Sequence, residues 1–195
     1  MKENKEARKN GGDAEGAIGM VETSSVARGL EAADAMLKAA RVQLLLSSPV
    51  CPGKYVVLVG GQVAEVGAAV QAGSRVAADS LVDETVIPRV HPQLLAAFTA
   101  TTRAGPPAAI GLIETFSLAA AVSAGDQAAK SARVDLLEIR LARALGGKAY
   151  VLLTGEVAAV RAAVQAGQQE ARRHGLLLSS TVIPSPHEDL LDKLL

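Results

Sequence analysis

Apolar positions along this chain alternate between two spacings, one suited to strands and one to helices, and the alternation runs through the same order twice. Ala17 to Glu22 is a short apolar run, and Thr23-Ser24-Ser25 after it offers hydroxyls to cap a helix. Val26, Leu30, Ala33 and Leu37 then recur at helical spacing. That face is expected to pack on a sheet, with Arg28, Glu31, Asp34 and Lys38 turned away. Val42 to Leu46 and Tyr55 to Val59 read as strands joined by the turn segment Ser47 to Gly53. Val63, Val66 and Val70 mark a second helix, and a last strand ends at Pro88 before a short terminal helix. Strand, helix, strand, strand, helix, strand is the split βαβ, ferredoxin-like order: an α+β fold with helices on one face of an antiparallel sheet.

Aligned on itself at an offset of 92, the chain places Ala17, Ile18, Gly19, Glu22, Thr23 and Ser25 on Ala109, Ile110, Gly111, Glu114, Thr115 and Ser117. Asp34, Lys38, Arg41 and Val42 fall on Asp126, Lys130, Arg133 and Val134 without a gap. After a two-residue insertion, Gly53, Lys54, Gly61, Val66, Val70 and Gly73 meet Gly147, Lys148, Gly155, Val160, Val164 and Gly167. A second such shift brings Val86-Ile87-Pro88 onto Val182-Ile183-Pro184 and His91 onto His187. The chain is therefore a tandem duplication. Residues 17–98 form the first domain, 99–108 a linker broken by Thr, Gly and paired Pro, and 109–195 the second domain. Residues 1–16 are charged, contain glycine and read as a flexible extension.

Composition narrows the function. Of 195 residues, 49% are hydrophobic and 21% charged, which places the chain among globular proteins. No apolar run reaches the roughly 18 residues of a membrane span, and the first residues lack the apolar core of a secretion signal, so a cytoplasmic location with no membrane partner is expected. Twenty basic and twenty acidic residues cancel, which argues against nucleic acid. With no Trp, two Phe and two Tyr, the core must be built from Val, Leu, Ile and Ala, and base-stacking platforms are lacking. No phosphate loop, dinucleotide fingerprint, nucleophile elbow or zinc spacing is present, and no enzyme activity is expected.

Candidate chemistry centres on the single cysteine. One Cys excludes an intrachain disulfide, and any metal bound by Cys51 would need further ligands from symmetry. Cys51 alone reads as a buried or idle thiol, a small hydrophobe, rather than as a reactive one. Pro49 and Pro52 restrict the loop and Gly53 permits a tight turn. Glu22 and Glu114 are repeat-equivalent and read as strand-exit residues supporting the following helix rather than as an acid–base pair. His91 and His187 are likewise equivalent, and His174 stands beside Arg172 and Arg173; none has metal-ligand spacing. Lys38 and Lys130 each follow an Asp by four residues and read, alone, as helical ion pairs. Arg140 and Arg143 make part of the second repeat's loop basic.

Ala-Ile-Gly-Met-Val-Glu-Thr at 17–23, Ala-Ala-Asp-Ala-Met-Leu-Lys at 32–38, the Gly-x-Val turns at 61–63 and 155–157, and Val-Ile-Pro-x-x-His at 86–91 and 182–187 resemble bacterial microcompartment shell proteins. Both repeats carry the resemblance, which is to the tandem-domain class. It implies two shell domains of non-permuted strand order and a homotrimer of hexagonal outline, a pseudohexamer, that meets other shell proteins at its edges within a cytoplasmic shell. Ser48-Pro49-Val50-Cys51-Pro52-Gly53-Lys54, Leu81-Val82-Asp83 and the ending at 182–188 are most similar to tandem members of the propanediol-utilisation type. That likeness implies an iron–sulfur cluster, [4Fe-4S], one per trimer, bound by Cys51 of three subunits in a central pore lined by Ser47, Ser48, Pro49, Val50, Pro52 and Gly53. It further implies electron transfer to a luminal or cytosolic redox partner, and tile-edge roles for Lys38, Lys130 and Arg89. The family's Pro-Arg-Pro-His edge motif reads Pro88-Arg89-Val90-His91 in the first copy and Pro184-Ser185-Pro186-His187 in the second. An open metabolite pore without a cluster and a small-molecule-sensing ferredoxin-like module remain the alternative readings.

Overall fold

Ser25 and Ser117 each accept a hydrogen bond from a backbone amide three residues on and so start the first helix of each repeat, as the sequence pattern anticipates. A computed structural model describes residues 16–102, 108–141, 146–173 and 175–194. The first repeat comprises β1 (Ala17–Thr23), α1 (Val26–Ala39), β2 (Gln43–Val50), β3 (Lys54–Gly61), α2 (Val63–Ala77), β4 (Leu81–Ile87) and α3 (Gln93–Phe98). The second comprises β5 (Ala109–Thr115), α4 (Leu118–Ser131), β6 (Asp135–Leu141), β7 (Ala149–Gly155), α5 (Val157–Arg173), β8 (Leu177–Pro184) and α6 (Glu188–Leu194). Each makes a four-stranded antiparallel sheet, ordered β2-β3-β1-β4 and β6-β7-β5-β8, which is the expected non-permuted order. Residues 1–15 of the extension, 103–107 of the linker, Arg143 and His174 lie outside the described residues.

Two expectations need correction. Ser47 to Val50 belong to strand β2, paired with Val57, Val56, Tyr55 and Lys54, so the turn is only Cys51-Pro52-Gly53. The edge strand accepts Pro49, where a central strand would lose a ladder bond. On α1, the face against the sheet is Gly29, Ala32, Ala33 and Met36; the larger stripe of Val26, Leu30 and Leu37 is exposed. Small residues let helix and sheet approach closely, and they take the inner face.

The closest approach shows why. A Cβ at Gly29 would lie 2.5 Å from Cβ and Cδ1 of Tyr55. Strand register places Ala149 in the second repeat where Tyr55 stands in the first, and the helix position of Gly29 is Ala121 there. The first repeat has a glycine against a tyrosine where the second has two alanines, so the missing Cβ at Gly29 makes room for the Tyr55 ring. Gly29→Ala is expected to destabilise the protein by about 1–3 kcal/mol through overpacking, measured as a lowered denaturation midpoint with unchanged slope.

Candidate functional site

The Cys51 hairpin stands where the two repeats meet. Its tip carries an exposed free thiol, the Cys51–Pro52 peptide is cis, and Gly53 adopts φ 72°. At its base, Lys54 Nζ donates to Glu22 Oε1 at 2.7 Å and to the Gly147 carbonyl at 3.2 Å. Gly147 belongs to the matching hairpin of the second repeat; its φ is 87°, and a Cβ there would lie 3.0 Å from Cδ of Pro52. Glycine is thus favoured by the positive φ of the turn, and a side chain there would press on Pro52.

Glu22 is fully buried, and its other oxygen accepts from Leu118 N at 2.8 Å. The carboxylate caps a helix N-terminus, but that of α4 in the other repeat and not of the helix that follows it. Burial pushes its pKa above the ordinary value, while Lys54 and the Leu118 amide pull the other way. Beside it, Ser117 Oγ donates to the Asp83 carboxylate.

From this point a seam runs outward between β4 and α4. Thr85 and Ser123 share a hydroxyl hydrogen bond of 2.9 Å. His91 N donates to Asp126 Oδ1 at 2.8 Å, and Asp126 pairs with Lys130, whose Nζ reaches the Pro88 carbonyl at 3.2 Å. Gln93 on α3 donates Nε2 to Asp135 at 3.0 Å and accepts from Leu136 N at 3.0 Å on the open edge of β6. Apolar packing joins parts of both domains in a cluster that includes Leu94, Leu118, Val122 and Leu136, while α1 and α2 form a separate core with the first sheet.

The equivalent surfaces of the opposite repeats are bare. Leu118, Val122, Leu136 and Leu94 are 0% exposed, whereas their counterparts Val26, Leu30, Leu44 and Leu190 are 40, 54, 41 and 39% exposed. Sequence inspection missed this seam, although the exchange of Gly29 and Tyr55 for Ala121 and Ala149 marks repeats with different helix packing. It also missed a cluster on β6–β7. There, Tyr150 donates to Glu138 at 2.7 Å, Arg140 pairs with Glu138 at 2.6 Å, and the guanidinium lies 5.6 Å from the Tyr150 ring centre. Burial and the Glu138 hydrogen bond push the Tyr150 pKa up to about 12.

The anticipated residues separate into two groups. Ser47, Ser48, Pro49, Val50, Cys51, Pro52 and Gly53 surround the hairpin, but Ser47 bonds the Tyr55 hydroxyl at 2.9 Å, and Val50 is buried. Ser48 and Val50 border a cleft of about 760 Å³ with Leu46, Phe98 and Arg140. Lys38, Lys130 and Arg89 lie at the other end, since β4 runs antiparallel to β1 and ends opposite Ile18. Lys130 is held in the seam, Lys38 pairs with Asp34 at 2.6 Å, and Arg89 is exposed with φ 49°. Among the described residues, no three His, Cys, Asp or Glu side chains of one chain gather as a metal site.

A family model described as the BMC domain matches residues 17–90 and 109–186. The chain belongs to the BMC-domain family of bacterial microcompartment shell proteins. It is 41% identical over 174 residues to the "bacterial microcompartment shell protein PduT" of Citrobacter freundii, covering 89% of this chain and 95% of that one. It is 35% identical over 189 residues to the "carboxysome assembly protein CcmO" of a Synechocystis species, covering 89% of this chain and 63% of that one. A solved structure of a microcompartment protein from Desulfitobacterium hafniense is 52% identical, with a TM-score of 0.82 and coverage of 91% of this BMC-domain chain and 98% of the other.

The Glu22–Lys54 pair can be tested by removing one partner. Lys54→Met leaves a buried carboxylate held only by the Leu118 amide and is expected to cost about 3 kcal/mol at neutral pH. A carboxyl whose pKa is raised in the folded state holds its proton more tightly there than when unfolded. Its contribution to stability therefore falls as pH rises through the ordinary 4.5 and beyond. The melting deficit of Lys54→Met relative to the unaltered chain should accordingly be smaller at pH 5 than at pH 8.

Proposed function

We propose that three copies of this chain close into a six-domain tile of the microcompartment shell, with the Cys51 hairpins at its centre. The observation that carries this is the unequal exposure of equivalent surfaces. The first repeat's β4 edge is satisfied by the second repeat's α4, while the second repeat's β8 edge and the first repeat's α1 are left open. A contact between unlike surfaces repeats head to tail and forms a ring when its rotation closes. Most polar partners have suitable counterparts for this: Glu114 for the Val26 amide, Ser179 for Ser25, the His187 amide for Asp34, and Lys38 for the Pro184 carbonyl. Shell proteins of the family supply the hexagonal outline into which six such domains fit.

In that ring one exposed thiol per chain becomes three about a threefold axis. Thiolates are the usual ligands of iron–sulfur clusters, and the donor set fits a [4Fe-4S] group with one iron left for a non-protein ligand. Cys51 would hold the group, while Lys54, tied to Glu22 and Gly147, fixes the hairpin that presents it. When bound, such a group supplies one-electron chemistry, and the tile would then pass electrons across the shell to a luminal or cytosolic partner. The chain's own part is positioning, not catalysis.

Sedimentation should give a trimer, and anaerobically purified protein should contain about four irons and four sulfides per trimer with a spin-resonance signal on reduction, all absent from Cys51→Ser. Trimers without iron under those conditions would leave a tile with an open metabolite pore. Arg89 lies at the outer end of the seam and has no hydrogen bond or ion pair among the described residues. Arg89→Ala is expected to keep trimers intact in sedimentation but to reduce sheets in electron micrographs.

A further inference from the structure

Within the seam, one polar pair is inverted between the repeats. Gln93 donates to Asp135 and accepts from Leu136 N. Strand register sets Gln43 in the place of Asp135 and Leu44 in that of Leu136, because Gln43 pairs with Gly60 and Asp135 with the matching Thr154. The alignment of His91 on His187 sets Asp189 in the place of Gln93. The backbone agrees: His91 Nδ1 accepts from Gln93 N at 3.4 Å, and His187 Nδ1 accepts from Asp189 N at 3.2 Å. Leu94 N and Leu190 N likewise each donate to the carbonyl of the preceding histidine. Amide and carboxylate have therefore changed sides. Both members of the second pair are exposed, Asp189 with 91% of its side chain free and 3.5 Å from His187.

Resting on the trimer reading above, we propose that Asp189 of one chain and Gln43 of the next form the intermolecular counterpart of the Gln93–Asp135 pair, and that the inversion selects which domain the β8 edge accepts. Asp189 then accepts from the Gln43 side-chain amide and from the Leu44 amide on the open edge of β2. Both are charge-assisted bonds. In an intact chain α4 and β6 are already covered by the first domain, so the choice arises only where a first domain has been displaced in a swap. Apolar burial does not decide it then, because α4 and β6 offer Leu118, Val122 and Leu136 where α1 and β2 offer Val26, Leu30 and Leu44. If β8 and α6 met a second domain whose own first domain had been displaced, Asp189 would take the place of Gln93 and face Asp135, two carboxylates in the space of a carboxylate and an amide. The wrong contact is rejected by like charge, while the right one is favoured by complementarity. Chains so selected alternate first and second domains around the ring and resist swapping of domains between copies.

The test compares the full chain with Gln43→Asp and with Gln43→Asp/Asp189→Gln by sedimentation across a concentration series. Gln43→Asp places two carboxylates at the intermolecular seam and should raise the concentration needed for half-assembly at least about tenfold. The double variant restores one amide and one carboxylate and should return to within about threefold of the unaltered chain, even if the single variant folds poorly. An unaltered trimer that ignores Gln43→Asp, or a double variant no better than the single one, overturns the pairing and leaves the trimer standing. An unaltered chain that stays monomeric throughout overturns both.

Discussion

The packing of α4 against the edge of the first sheet is the contact on which the rest of the architecture depends. It joins residues of both repeats in one apolar cluster, beside the separate core that the first sheet forms with α1 and α2, and it is fixed in register by Glu22 on the Leu118 amide. Leaving that amide or that carboxylate without a partner in a buried site would cost far more than the bond contributes. The contact therefore has a single acceptable alignment. That alignment determines where the Cys51 hairpin sits, because Lys54 links the same carboxylate to the hairpin of the second repeat.

Duplication explains how this arrangement came to be asymmetric. Six identical domains must carry six identical hairpins and six identical seams, whereas fused pairs allow each to diverge. The hairpins have diverged, with a cysteine in the first and glycines at 146 and 147 in the second. The packing beneath them has diverged as well, from glycine under tyrosine to alanine under alanine. Strand order and helix placement have not changed, since these follow from periodicity that both copies retain.

Most of the fold was legible in the sequence because alternation and helical spacing report directly on strand and helix. The orientation of α1 was not. Val26, Leu30 and Leu37 form a better apolar stripe than Gly29, Ala32, Ala33 and Met36, and only the close approach of helix to sheet gives the small residues the inner face. The hairpin's tip was legible from Cys51-Pro52-Gly53, but its length was not, since a proline in an edge strand looks like a loop residue. Glu22 was recognised as a helix-supporting carboxylate, yet the helix it supports lies 96 positions away, beyond what local spacing can reveal.

Strands β2 and β8 each pair on one side only, and among the described residues none covers their outer margins in the way α4 covers β4. An uncovered ladder of apolar residues is an invitation to indiscriminate cross-pairing. A newly made polypeptide of this kind is consequently safest at concentrations where neighbours arrive quickly. Supply in step with shell growth would then protect it from aggregation as well as provide building material.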